Sequence, residues 1–184
     1  AEVLAWFASI GWQVEVCRQE LTWIEQAWQS LEQSRMEAMK LNFEVVALYK
    51  KGRYTEAISL AEQALATQEK TMKCDDRDVA QTLSNLALLY KTIGQYAKAE
   101  SLSKRALAIR EKVLGSEHPD VAQSLNNLAA LYIEIGVYDK AEPLLQRALT
   151  MNEKAFGRDH PKIATSLNNL GNLYQKMSAY ANAE

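Results

Sequence analysis

The chain has 184 residues, of which 48% are hydrophobic and 24% charged, with only 7 glycines and 3 prolines. Because so few residues favour turns, the composition favours helices. The formal net charge of −2 leaves no excess of positive charge for phosphates, which argues against nucleic acid as a partner.

Two cysteines, Cys17 and Cys74, form neither a CxxC motif nor a zinc-like spacing. They are predicted to be free thiols in a reducing compartment, which indicates a cytoplasmic protein. The most apolar stretch, residues 3–10, is too short to span a bilayer and has no basic leader, so neither a membrane helix nor an intact signal peptide is indicated. The first residue is Ala1 rather than Met, and we expect a fragment of a longer protein.

Residues 1–33 differ from the rest because they hold all four tryptophans, Trp6, Trp12, Trp23 and Trp28. Apolar residues from position 14 onward follow a 3,4,3,4,3 spacing, which predicts an amphipathic helix, and Gly11 separates it from a short apolar helix. The segment is therefore predicted to be a Trp-rich helical hairpin. Two hypotheses stay open for it: a cap on the first repeat, or a helix that binds a partner or a second copy. Ser34 and Glu37 have capping-box spacing, which starts the repeats at residue 34.

Residues 34–184 repeat with a period of 42. Three columns mark the period: Tyr54, Tyr96, Tyr138 and Tyr180; Gly52, Gly94 and Gly136, with Ser178 in the fourth place; and Ala57, Ala99, Ala141 and Ala183. Within a unit, apolar residues recur at helical offsets, as in the set Leu83, Leu86, Ala87 and Tyr90. A second apolar stripe follows each Gly-x-Tyr corner, so each unit is predicted to be two antiparallel helices joined by a tight turn.

The links between units carry helix-ending and helix-starting residues. Gly115 and Gly157 stand where a left-handed C-cap is expected, and Pro119 and Pro161 suit the first turn of the next helix. The first link has neither residue type, and we expect its Asp75 and Asp76 to cap instead. The two histidines precede the prolines. A metal or acid–base role is one hypothesis for them, and a helix-start role is favoured because no third ligand or placed carboxylate accompanies them.

The set of residues at the corner resembles the tetratricopeptide repeat: Leu86, Ala87, Tyr90, Gly94, Tyr96, Ala99 and Ala106. The usual period of that repeat is about 34; the 42-residue version with HPDVAQSLNNLAALY and YDKAEPLLQRAL resembles the kinesin light chain class. The resemblance implies an all-α fold, a right-handed α-solenoid of antiparallel helix hairpins, with three complete repeats and a truncated fourth. Because the fourth unit stops before its second helix is complete, we expect Leu167, Leu170 and Tyr174 to lack packing partners within the chain.

The resemblance also implies that the first helix of each unit lines a concave groove, which would bind a protein or an extended peptide. The predicted groove residues are Asn42, Lys50, Gln81, Ser84, Asn85, Lys91, Gln123, Asn126, Asn127, Asn168, Asn169, Asn172 and Lys176. Asparagine amides can pair with a ligand backbone of any sequence. Equally, one asparagine of each doublet can bond a neighbouring repeat; Asn85, Asn127 and Asn169 are favoured for that role, and Asn126, Asn168 and Asn172 for the ligand. The lysines Lys50, Lys91 and Lys176 would tolerate acidic residues that flank the centre of a bound peptide.

No catalytic motif, metal set or cofactor-binding motif is found. The sequence therefore predicts a non-catalytic adaptor or scaffold. A sensor or regulatory module of a larger enzyme or transcription regulator is the alternative. Self-association through the unfinished C-terminal repeat or the N-terminal hairpin is a further prediction.

Overall fold

The computed structural model describes residues 2–71 and 77–181, and the side chains of residues 19–70 and 77–178. Within these ranges the chain forms helices and no strand. The helices are α1 (Glu2–Lys50), α2 (Tyr54–Thr71), α3 (Arg77–Thr92), α4 (Tyr96–Leu114), α5 (Pro119–Glu134), α6 (Tyr138–Phe156) and α7 (Pro161–Ala181). None of the described helices combines the length and apolar character needed to cross a membrane.

The helices pack as successive hairpins, which confirms the predicted solenoid. The end of α1 pairs with α2, α3 with α4 and α5 with α6, and each hairpin stacks on the next through α2–α3, α4–α5 and α6–α7 contacts. The alanine columns lie in the contacts between helices, where Ala57, Ala99 and Ala141 are fully buried. Leucines and tyrosines of the neighbouring stripes fill the space that these small side chains leave.

The corners between paired helices follow the predicted glycine column. Gly94 and Gly136 have φ of 77° and 78°, a backbone conformation that residues with a Cβ rarely adopt. The next N–H then turns back on the helix, as where Gln95 N donates to the Tyr90 carbonyl at 2.8 Å. At the fourth copy the residue is Ser178, and α7 continues without a corner to Ala181.

The links between hairpins agree with the sequence at their prolines and histidines, but the left-handed caps predicted at Gly115 and Gly157 are wrong: φ is positive, at 86° and 78°, while ψ is extended, at 154° and 166°. Pro119 and Pro161 are the first residues of α5 and α7. Each preceding histidine caps its helix: Nδ1 of His118 accepts from Asp120 N at 3.1 Å, and Nδ1 of His160 accepts from Lys162 N at 3.2 Å. The helix-start role of the histidines is therefore confirmed. The predicted caps Asp75 and Asp76 lie outside the described residues.

The predicted N-terminal hairpin is wrong, because α1 is one helix of 49 residues. Gly11 lies within it, since one helical glycine costs only about 1 kcal/mol relative to alanine and no proline interrupts the segment. Ser34 does not cap a helix: its hydroxyl donates to the Ser30 carbonyl at 2.9 Å, one turn earlier in the same helix. The predicted boundary between residues 33 and 34 therefore lies inside α1.

At the other end, α7 is only partly covered. Leu167 and Tyr174 are about half exposed, as predicted, whereas Leu170 is buried in the main core cluster. The expectation for Leu170 was wrong because α6 packs along α7 and covers this side of it. The hydroxyl of Tyr174 donates to Glu142 Oε1 at 2.8 Å, which ties the exposed ring to α6.

Candidate functional site: a groove along the first helices

The first helices of the hairpins, namely the end of α1, α3, α5 and α7, lie beside one another along one face of the solenoid. We refer to this face, from Met39 of α1 to Lys176 of α7, as the groove. It holds a cavity of about 280 Å³ between α1 and α3 and a second of about 160 Å³ between α3 and α5. All the predicted site residues lie on the helices that form it.

Between α1 and α3, amide side chains form a chain of hydrogen bonds across the two repeats. Gln81 Nε2 donates to Asn85 Oδ1 at 3.2 Å, and Asn85 Nδ2 donates to Asn42 Oδ1 at 3.1 Å. Asn42 Nδ2 then donates to Thr82 Oγ1 at 2.8 Å. Asn85 therefore bonds a neighbouring repeat, as favoured from the sequence, and Asn42 is its partner rather than an uncommitted ligand group.

The same pairing recurs between α5 and α7, with a consequence for the predicted ligand residues. Asn169 Nδ2 donates to Asn126 Oδ1 at 3.4 Å, and Asn126 is only 7% exposed. The interpretation of Asn126 as a ligand contact needs correction, because its amide lies inside the stack. Asn127, which the sequence favoured for bonding a neighbouring repeat, is instead exposed and accepts from Gln123 of its own helix at 3.0 Å. Asn168 and Asn172 are exposed.

Charged side chains link the first helices at a constant spacing of 43 residues. Arg35 pairs with Asp78 at 3.0 Å, and Arg77 with Asp120 at 2.6 Å. Lys91 pairs with Glu134 at 3.1 Å. Lys91 is thus neutralised by Glu134, which weakens the prediction that it attracts acidic ligand residues. Lys50 and Lys176 are exposed at the two ends of the groove.

Beneath the groove lies a buried arginine that the sequence analysis missed. Arg110 of α4 is 5% exposed. Its Nη1 donates to Ser84 Oγ at 3.0 Å and Ser124 Oγ at 2.5 Å, while Nη2 donates to Gln81 Oε1 at 3.0 Å. Burial lowers the pKa of this guanidinium from its ordinary value, and the nearby charge of Asp120 opposes that effect. The predicted site residue Ser84 is therefore an acceptor for Arg110.

The 42-residue period contains a pattern from which the buried position of Arg110 could have been predicted. Gln68, Arg110 and Asn152 occupy one column, 42 residues apart, and all three are buried polar residues of second helices. A hydroxyl column with the same period lies on the first helices: Thr82, Ser124 and Ser166. Asn152 Nδ2 donates to Ser166 Oγ at 3.1 Å, the counterpart of the bond from Arg110 to Ser124.

The groove changes character along its length. At the α1 end Met39, Phe43 and Val46 are exposed and line the 280 Å³ cavity, and Leu88 of α3 is exposed beside the next one. In the column of Val46 and Leu88, α5 has Ala130 and α7 has Asn172. The groove therefore runs from an apolar end on α1 to an amide-rich end on α7.

The sequence matches the family model described as tetratricopeptide repeat over residues 37–112, 78–154 and 120–184. The chain belongs to the tetratricopeptide repeat family. Its members generally act as protein–protein interaction modules and are generally non-catalytic. A comparison of the sequence with curated proteins finds no match.

Solved structures with similar folds include kinesin light chain-like repeat proteins. BtubC (BKLC) from P. vanneervenii is 26% identical with a TM-score of 0.67, over 84% of this chain and 65% of that chain. A putative kinesin light chain from Podosopora anserina with nearly identical TPR-like repeats is 25% identical with a TM-score of 0.60, over 84% and 88%. The first TPR of Spaghetti (RPAP3), bound to the HSP90 peptide SRMEEVD, shares the fold at 17% identity and a TM-score of 0.56, over 78% and 94%. The chain thus spans just under two thirds of BtubC.

Proposed function

We propose that this chain is a non-catalytic adaptor whose groove binds an extended segment of another protein. The observation that carries the proposal is the cavity of about 160 Å³ between α3 and α5. Its lining combines the apolar Leu88 with the amides of Gln81, Asn85 and Asn127. An apolar recess with a few amides beside it suits one ligand side chain together with its backbone.

The exposed amide and apolar side chains of the groove support it as the site. Ion pairs link neighbouring repeats on both faces, as in Glu69–Arg105 at 2.5 Å on the second helices and Arg77–Asp120 at 2.6 Å on the first helices. The groove also presents Asn168, Asn172 and Phe43, which are exposed. Exposed amides and apolar groups of this sort become favourable contacts once a ligand excludes water from them.

A selection from a peptide library on the wild-type chain, followed by titration of the selected peptide, tests the proposal. We expect Asn168→Ala and Asn172→Ala each to weaken binding by about tenfold to a hundredfold, because each leaves a ligand group unpaired at about 1–3 kcal/mol. Gln146→Ala, an exposed amide on α6, is the matched control and should leave the affinity unchanged. Equal affinities for all four proteins would contradict the groove as the binding site.

A further inference from the structure

The helix α1 extends well beyond the hairpin that it forms with α2. The helix α2 has 18 residues and, running antiparallel to α1, can cover it back to about residue 33. Before that point every described side chain from residue 19 to 30 is exposed. Leu21, Ile24 and Trp28 are 59%, 43% and 62% exposed, so this part of α1 leaves large apolar groups in water within the described chain.

Because α1 is continuous through Gly11, the spacing of its apolar residues predicts one stripe along the helix. The members, spaced alternately four and three residues apart, are Val3, Phe7, Ile10, Val14, Cys17, Leu21, Ile24, Trp28 and Leu31. This is the a/d pattern of a heptad repeat sustained over four heptads, and it predicts pairing with another helix in a left-handed supercoil. We refer to these nine positions as the α1 stripe.

We propose that the α1 stripe pairs with the α1 stripe of a second copy of this chain, with the two helices antiparallel. In this register Val3 lies opposite Trp28 of the second copy, and Phe7 lies opposite Ile24. The inner layers match the remaining members: Ile10 with Leu21, and Val14 with Cys17. Each apolar position from residue 3 to residue 28 then meets an apolar position.

Charge decides the orientation. Glu20 and Glu25 occupy the g and e positions that flank the stripe. In a parallel, in-register pair Glu20 of each copy would lie beside Glu25 of the other, and this repulsion would occur twice. In the antiparallel register Glu20 lies beside Gln13, and Glu25 lies beside Leu4, so the like charges are kept apart. The antiparallel arrangement also places the two repeat arrays at opposite ends of the paired helices.

The stripe is large enough for a stable interface and stops where the array begins. A stable dimer buries about 800 Å² per partner, and an aromatic side chain such as Phe7 or Trp28 supplies about 150–250 Å² of that. The six other members between residues 3 and 28 add to these two. Beyond Leu31 the next stripe positions are Arg35 and Ala38; Arg35 pairs with Asp78 and Ala38 is buried within the array. At the other end of the chain, Leu170 is buried, which leaves a smaller apolar surface there.

Sedimentation equilibrium of the 184-residue chain over a range of concentrations tests the pairing. We expect a dimer whose dissociation constant rises at least about a hundredfold in Ile24→Glu, because two unpaired charges enter the interface. Trp23→Glu is the matched control: Trp23 is 70% exposed but lies at a c position off the stripe, and its loss should leave the dimer intact. A wild-type chain that stays monomeric, or a dimer that Trp23→Glu breaks as readily as Ile24→Glu, would overturn the proposal.

Disulfide trapping under mild oxidation tests the orientation. With Cys74→Ala, the remaining Cys17 should give no covalent dimer, because antiparallel helices place the two Cys17 positions beyond the Cα separation of about 7 Å that a disulfide spans. Adding Val14→Cys should give a covalent dimer, since positions 14 and 17 of the two copies are opposite. Rapid trapping through Cys17 alone indicates a parallel pair and refutes the proposed register. Because Ile24 lies outside the groove, peptide binding by Ile24→Glu reports on the groove separately.

Discussion

Arg110 illustrates how one column of the repeat can hold different polar residues. The equivalent residues in the neighbouring repeats are Gln68 and Asn152, whose buried oxygens Oε1 and Oδ1 have no hydrogen-bond partner in the described chain. Arginine carries only donors, and its neighbours at this position supply three acceptors. Arg110 therefore makes three hydrogen bonds to neutral acceptors but keeps a charge away from water without a directly bonded carboxylate.

We expect Arg110→Gln to change the free energy of unfolding by less than about 1 kcal/mol, because an amide restores part of the hydrogen bonding and removes the buried charge. Arg110→Ala should lose about 2–4 kcal/mol, since it leaves a cavity and unpaired acceptors. Chemical denaturation of the three proteins measures both differences. If the glutamine variant were as unstable as the alanine variant, the guanidinium itself would be required.

Tyr90 should titrate far above an ordinary tyrosine. Its hydroxyl donates to Glu62 Oε1 at 2.6 Å, and this bond, together with burial, raises the pKa of Tyr90 to about 12 from 10.0. The raised pKa stabilises the folded state below pH 10, and that contribution is lost as the pH rises from 10 towards 12.

Ultraviolet titration of tyrosinate should therefore show one of the 8 tyrosines ionising near pH 12, and Glu62→Gln should bring it back towards its ordinary range. A wild-type curve already identical to that of Glu62→Gln would show that the hydroxyl is not bonded to the carboxylate.

Columns of small residues allow the second helix of each hairpin to pack closely against the first. Ala106 and Ala148 are essentially fully buried between α3 and α4, and between α5 and α6. Because Leu65 of α2 and Leu107 of α4 in the preceding hairpins pack against these two clusters, a defect in one column loosens two repeats.

Ala148→Glu should lower the free energy of unfolding by more than about 3 kcal/mol, since it places an unpaired charge between close-packed helices. Thr150→Glu, on the exposed side of the same helix, should change it by less than about 0.5 kcal/mol. Thermal and urea melts make the comparison. Similar melting temperatures for the two variants would mean that the column is accessible to water.

Element boundaries were predictable where the backbone needs a specific residue. Positive φ at Gly94 and Gly136 and the proline starts of α5 and α7 follow from residue type alone. The N-terminal hairpin was not predictable in this way, because Gly11 permits a turn without requiring one. A helix continues through such a residue when the flanking sequence favours it.

In the complete stack of repeats, the 42-residue period identifies the face that forms the groove. It does not identify which amide side chains are hydrogen-bonded to a neighbouring repeat. Asn126 and Asn168 occupy the same column, yet Asn126 is held by Asn169 of the following repeat, whereas Asn168 is exposed. The difference depends on whether a following helix supplies a partner. Which side chains become neighbours therefore depends on how the repeats stack, and the period alone does not specify it.

A substitution at one position of the 42-residue period can test the cavity between α3 and α5. Ala130 lines it at the position that Leu88 holds one repeat earlier. We expect Ala130→Leu to fill the cavity and weaken a selected peptide by at least about tenfold, with little change in melting temperature, because the larger side chain replaces a ligand contact. Ala108→Leu, exposed on α4, is the control. Unchanged binding by Ala130→Leu would remove this cavity from the site.

Photo-crosslinking of a selected peptide that carries a diazirine, followed by mass spectrometry of the labelled chain, shows directly where the peptide binds. If the groove binds the peptide, the label should fall on exposed groove residues such as Gln123, Asn127 and Asn168. Labelling confined to α4 and α6, or to residues 19–33 of α1, would show that the groove is not the binding site and would move the site to that surface.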